Sequence, residues 1–312
     1  MATRAATRTV RDWIMDSRQW ERFSPREGDI IIATAPKCGT TWTQRIVSML
    51  VFGSAAPVPL HGTSPWIDCR FQMPPDVMFP MLEGQTHRRF VKSHLPFDAL
   101  PVYENARYVH VARDGRDACM SLHNHYNGFT EAMLTRFDQI GANDEAIRAP
   151  FPRPAKDAHD FFLNWMTPGE YPAHGNWFFE AEKSYWAERR RENLLLVHYN
   201  DLKADLDGEM RRIARFLGIE VPEGTWPSLV ETARFETMKA QGRELLPGIE
   251  MAFNGGHETF LYRGTNERWR GVLNDEDLAR YEEKSAAALP PGLKAWLAQG
   301  RLKAGDPREM AD

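Results

Sequence analysis

The chain has 312 residues, 42% of them hydrophobic and 26% charged, the make-up of an ordinary globular protein whose core needs no disulfide or metal. A formal net charge of −4 argues against general nucleic-acid binding, which calls for a strongly basic face, but leaves room for one basic cleft. Three widely spaced cysteines, Cys38, Cys69 and Cys119, fit free thiols. No apolar run approaches the ~18 residues of a membrane span. The basic start, "MATRAATRTVRDW", lacks a signal-peptide core, so the expectation is a cytoplasmic protein without a transmembrane segment.

Along the chain, Trp13, Trp20 and Phe23 read as early packing residues. "DIIIATA" (29–35) predicts a first strand, and 40–52 an amphipathic helix after it. Residues 56–85 are rich in proline and read as a long loop. "RRFVKSH" (88–94) and "ARYVHVAR" (106–113) predict two more strands, with a helix at 114–126. A helix at 176–191 leads into "NLLLVHY" (193–199), and "DLDGEMRRIARFL" (205–217) predicts the helix that follows. Residues 240–262, with glycines flanking apolar residues, read as a second long loop. "DEDLARYEEKSAAAL" is a last helix with a solvated charged face. Mostly apolar strands separated by helices predict an α/β fold: a single domain, 1–312, with a central parallel sheet flanked by helices. The two loops, 56–85 and 240–262, are expected to be acceptor-site or lid segments, because they carry aromatic and Met side chains.

The chemistry starts where the first strand ends, in "APKCGTTW". A Walker A loop reads G-x-x-x-x-G-K-[ST], whereas here Lys37 precedes Gly39 and two threonines, Thr40 and Thr41, follow. Gly39 lets the backbone approach a ligand, the hydroxyls and amides donate, and the next helix points its positive end at the same place. Lys37 adds a charge, and Trp42 a flat face for an aromatic base. This is an anion site. In open parallel sheets ligands bind beyond the carboxyl ends of the strands. "VKSHLP" puts Lys92 and His94 on one side of a second strand end, and "VARDGRDACMS" puts Arg113 at a third, with Ser121 two helical turns on.

Seven segments in order, "APKCGTTW", "KSHLP", "YVHVARDGRDACMS", "GNWFFEAEKSYW", "LLLVHYNDL", "RFLGIEVPE" and "FLYRGTNERW", resemble the cytosolic-type sulfotransferases. That family uses 3′-phosphoadenosine 5′-phosphosulfate (PAPS). The resemblance implies that Lys37, Gly39, Thr40 and Thr41 hold the 5′-phosphosulfate and that Arg113 and Ser121 bind the 3′-phosphate. It implies that Trp42 and Phe235 sandwich the adenine, that Tyr199 meets its edge, and that Arg263 and Gly264 close over the 3′-phosphate. His94 is the implied general base, with Lys92 beside it and Lys37 meeting charge on the leaving oxygen. The product would be 3′-phosphoadenosine 5′-phosphate (PAP). The sulfuryl group carries less charge than a phosphoryl group, so lysines are expected to suffice and no metal is required.

Three departures stand out. The family's R-K-G becomes Tyr262-Arg263-Gly264. Ala233 and Arg234 stand where T-S is usual, so that Arg234 would supply some missing charge. "RGVLNDEDLAR" does not match the family's dimer segment, which leaves the oligomeric state open. Trp66, Phe71, Met73, Phe79, Phe97, Tyr126, Phe129, Trp165 and Phe253 are expected to line an apolar pocket above His94. They favour a small hydrophobic alcohol or phenol as acceptor. His123 and His125, two apart on a helix, point in different directions and are not read as a metal pair. A P-loop kinase or NTPase would need the Walker order and magnesium carboxylates. A non-catalytic nucleotide- or lipid-binding module would have no use for His94 and Lys92.

Overall fold

The computed structural model describes residues 3–172 and 174–312; the first two residues of the basic start, and Ala173, lie outside it. Four parallel strands form the centre: β1 (Ile30–Ala33), β2 (Phe90–Ser93), β3 (Arg107–Ala112) and β4 (Leu194–His198). They lie in the order β2-β1-β3-β4, so the chain steps outward from β1 in both directions. Ala33 pairs with Ser93 on one side and His110 on the other, and Ala112 pairs with His198. The carboxyl ends of all four strands therefore open on one rim. Ile30, Ile31 and Ile32 of β1 are fully buried, as expected of a strand covered on both faces.

Every predicted strand is present, and the helices match within a few residues. The helix α1 (Thr40–Phe52) ends on Gly53, whose left-handed φ of 59° lets its N–H reach back to the Met49 carbonyl. The helix expected over 176–191 is Gly175–Ala187 and stops four residues early at the Glu188 cap.

The segments read as long loops each contain short helices. Residues 56–85 contain Leu60–Thr63 and Pro75–Glu83, and residues 240–262 contain Gly242–Leu245, Ile249–Met251 and His257–Phe260. Proline misled the sequence reading: Pro75 occupies the first turn of its helix, where its missing N–H costs nothing and its fixed φ helps. Residues 65–67 also run along the outer edge of β2. The Lys92 N–H donates to the Pro65 carbonyl at 2.9 Å, and the Ile67 N–H to the Lys92 carbonyl at 3.0 Å.

At the opposite ends of the strands sits a buried ion pair. Arg89 donates from Nε to Asp29 Oδ1 at 2.9 Å and from Nη2 to Oδ2 at 2.5 Å, and also binds the Ser24 carbonyl. Removing one partner leaves the other charged and out of water. Arg89→Ala is expected to lose about 3–5 kcal/mol in urea unfolding, with turnover per folded molecule preserved. A loss below about 1 kcal/mol, the value of an exposed pair, would contradict this reading.

Candidate active site

The rim of the sheet opens into a cavity of about 640 Å³. All the site residues named from the sequence line it: Lys37, Gly39, Thr40, Thr41, Trp42, Lys92, His94, Arg113, Ser121, Tyr199, Phe235, Arg263 and Gly264. They come from every strand end. The β1–α1 loop is tightly wound, with Lys37 at φ 69° and Gly39 at φ 114°. A Cβ on Gly39 would stand 3.0 Å from the Tyr199 ring, so this position requires glycine twice over, for its backbone and for the close ring. The Thr34 and Thr40 hydroxyls, 2.6 Å apart, brace the loop from inside. The N-terminal end of α1 faces the cavity.

One end of the cavity is cationic. Arg113 lies 4.2 Å over the Tyr199 ring and donates to the Thr265 carbonyl at 2.8 Å and to Asn266 Oδ1 at 2.7 Å. Tyr199 and Lys203 both donate to the Gly264 carbonyl, at 3.1 and 2.9 Å, which pins the 262–268 segment over the site. The Phe235 ring lies flat against Gly264, where a Cβ would approach within 2.6 Å. Trp42 is anchored by its indole N–H on the Ala233 carbonyl at 2.6 Å.

The other end holds His94. Its Nδ1 lies 2.9 Å from the Thr34 carbonyl, which only accepts, so Nδ1 carries the proton and Nε2 keeps a lone pair. Its ring meets Trp66 edge-on at 4.7 Å. Beneath both, buried Asp68 accepts from the indole N–H groups of Trp66 at 2.6 Å and Trp20 at 3.1 Å, and from the His94 backbone at 3.3 Å. Burial, then the charges of Lys92 and Lys37, hold the His94 imidazolium well below its usual range, with the Thr34 carbonyl opposing. Lys92 lies 4.3 Å over the Trp66 ring and is pushed down to about 8, chiefly by burial. Lys37 is lowered to about 7 by burial and then by Lys92, Arg113 and Arg268.

Of the predicted apolar wall, Trp66, Phe71, Met73, Tyr126, Phe129 and Phe253 line the cavity. Phe79, Phe97 and Trp165 do not. Phe97 packs on Tyr108 and Tyr185, Trp165 on Phe178 and Phe179, and Phe79 takes the Arg22 guanidinium over its ring. Arg234 is also no part of the site, since it is exposed and paired with Glu231 at 2.7 Å. Sequence reading missed Arg268, His61, Gln44, Arg136 and His125, all of which line the cavity. Arg268 was legible in "FLYRGTNERW" as the second arginine of the motif. His125 lies one helical turn from Ser121 and so shares its face. His123 turns away, as expected, toward the Lys156 carbonyl.

Among the described residues one group has metal-ligand spacing, Asp157, His159 and Asp160. Asp157 caps the helix Ala158–Trp165, and His159 is bonded to Asp277, so these side chains have structural partners; none lines the cavity. No helix among the described residues is long and apolar enough to cross a membrane.

The sulfotransferase domain family matches residues 27–289. The chain belongs to the sulfotransferase family. The glycolipid sulfotransferase of Mycobacterium tuberculosis (strain ATCC 25177 / H37Ra) is 33% identical to it, over 93% of this chain and 94% of that protein. Sulfotransferase 1A1 of Rattus norvegicus is 25% identical over 86% of this chain and 87% of its own. In fold, this sulfotransferase resembles retinol dehydratase solved with androsterone and PAP, with a TM-score of 0.67 at 22% identity over 88% of this chain and 84% of that one. A mouse sulfotransferase solved with PAP gives 0.64 at 16% identity, over 88% and 89% of the two chains.

Proposed function

We propose that this sulfotransferase moves a sulfuryl group from PAPS to the hydroxyl of a hydrophobic acceptor, with His94 as general base. The observation that carries the proposal is the fixed tautomer of His94, whose open Nε2 lone pair sits in the same cavity as the anion loop. The acceptor O–H gives its proton to Nε2 as the new O–S bond forms. The bond from sulfur to the phosphate oxygen breaks, and PAP leaves with the added negative charge. Lys37 and the N-terminal amides of α1 meet that charge. Arg113, Arg263 and Arg268 are the groups suited to a 3′-phosphate, and Trp42 and Phe235 to an adenine ring. Lysines and amides at the reacting end leave no step that requires a metal ion.

Trp66, Phe71, Phe129 and Phe253 favour an acceptor with an apolar body. The mycobacterial relative is named for glycolipids, and a structural neighbour holds androsterone, an alcohol on an apolar frame. Both agree with that wall. Thermal unfolding with PAP and with ATP tests the donor. A ligand at a hundredfold excess over its Kd stabilises the fold by about 2.7 kcal/mol, so PAP should raise Tm clearly while ATP at the same concentration does not. Equal shifts would return the site to a general nucleotide pocket. Sulfation of a hydrophobic alcohol is expected to continue in EDTA, and loss of activity restored by magnesium would contradict the metal-free step.

A further inference from the structure

Of the three histidines that line the cavity, His94 and His125 have their ring nitrogens engaged in opposite ways. His94 gives Nδ1–H to a carbonyl, whereas His125 holds its Nδ1 3.1 Å from Lys37 Nζ. An ammonium has only protons to offer, so while Lys37 is charged the His125 Nδ1 must be the lone pair and Nε2 must carry the hydrogen. That nitrogen has no hydrogen-bond partner among the described residues. His125 cannot then act as the base at Nε2. It has another use.

The His125 ring is held in an aromatic box, with Phe253 at 4.7 Å, Phe129 at 5.1 Å and Phe260 at 5.6 Å. Phe260 also lies 5.2 Å under the Lys37 ammonium. The walls of the box come from the helix Gly115–Asn127, from residues 128–130, and from the 252–260 segment stitched to them. The Thr130 N–H donates to the Ala252 carbonyl, and Asn254 to the Phe129 carbonyl. Nδ1 is thus a stationary acceptor. Lys37 is otherwise faced by cations and neutral groups: Lys92 and His94 from β2, Arg113 from β3, Arg268 from the 262–268 segment, and the Cys38 thiol, which burial keeps protonated.

We propose that His125 is a positioning residue that holds the Lys37 ammonium at the acceptor-side wall until an anionic donor takes it over. Donor binding is then a competition between one imidazole lone pair and the oxygens of the phosphosulfate for a single lysine. This rests on the PAPS-type reading of the cavity. A hydrogen bond to the ammonium favours its charged form, so removing the lone pair lowers the pH at which Lys37 loses its proton. Lys37 binds anions while protonated, so affinity is full below that pH and falls as pH rises through it.

Calorimetric titration of PAP across pH 5–9 tests the proposal with wild type, His125→Phe and His125→Gln. Phenylalanine keeps a ring in the box without an acceptor, whereas glutamine restores one. His125→Phe is expected to bind PAP as wild type does at pH 8, where Lys37 is largely neutral before the donor arrives and the lost hydrogen bond to the ammonium offsets the lost competitor. At pH 5, where Lys37 is charged in the free protein, it should bind about tenfold more tightly than wild type because the competitor is gone, and His125→Gln should follow the wild type. Superimposable profiles for wild type and His125→Phe would overturn the proposal, as would an equal loss in both variants at every pH, which is what a packing role predicts. In wild type alone, the ¹⁵N resonances of His125 should show an unprotonated Nδ1 near pH 6, and the other tautomer would overturn the proposal without any variant. Failure of wild type to bind PAP at all would instead overturn the donor reading.

Discussion

His94→Ala is expected to lower kcat by at least ~100-fold with an aliphatic alcohol acceptor, while affinity for PAP changes little. An alcohol is a weak nucleophile near pH 7, and a positioned imidazole taking its proton contributes 10²–10⁴ in typical cases. The sign of the pH dependence follows from the cavity. Only neutral His94 accepts a proton, and burial with Lys92 and Lys37 keeps it neutral to well below the ordinary imidazole range. The acid limb of kcat/KM should therefore lie well below the ordinary imidazole range, and it should vanish in the variant. A phenol surrenders its proton more readily, so the defect should shrink along a series of increasingly acidic phenols. Wild-type kcat with an aliphatic alcohol would remove His94 from the reaction.

The second large effect is expected at Arg113. Its guanidinium is organised by the Tyr199 face, by Thr265 and by Asn266, so its fork is aimed before any ligand arrives. Hydrogen bonds to a charged group contribute about 1.5–3 kcal/mol each, and two of them to a 3′-phosphate correspond to at least ~100-fold in affinity. Arg113→Ala should lose PAP binding by that factor and ATP binding by far less. Arg113→Lys should recover only part, because a point charge does not reproduce the fork. Asn266→Ala, which frees the guanidinium from one partner without removing it, separates loss of the charge from loosening of the 262–268 segment. An equal fall for both nucleotides in Arg113→Ala would show that the arginine merely holds that segment.

The strands and the helices that follow them were legible because each is a local pattern. "DIIIATA" is apolar without alternation, Gly39 and the threonines mark a tight turn, and strand ends in a parallel sheet converge whatever lies between them. His94 and Lys92 could be placed by alternation alone. The acceptor wall was not legible to the same degree. Phe97 and Trp165 have the same composition signal as Phe71 and Phe129, and only the packing of distant segments decides which of them faces solvent space and which faces Tyr185 or Phe178. His125 escaped because it was judged against His123 as a metal pair. The informative comparison was with Ser121, one turn away on the same face.

The pairing of residues 65–67 along β2 has a bearing on how this enzyme can change. β2 is an outer strand of the sheet, and an uncovered outer strand is a template on which other chains stack. The stretch that shields it also carries Trp66 into the cavity and sets its ring against the Lys92 ammonium. If the cavity takes the acceptor as proposed, substrate range and resistance to aggregation are written in the same few residues. Exchanging residues 56–85 between relatives to alter the acceptor should give insoluble protein whenever the backbone contacts at Pro65 and Ile67 are lost. Side-chain changes at Phe71 or Met73, which leave that ribbon in place, offer a route to new acceptors that keeps the sheet covered.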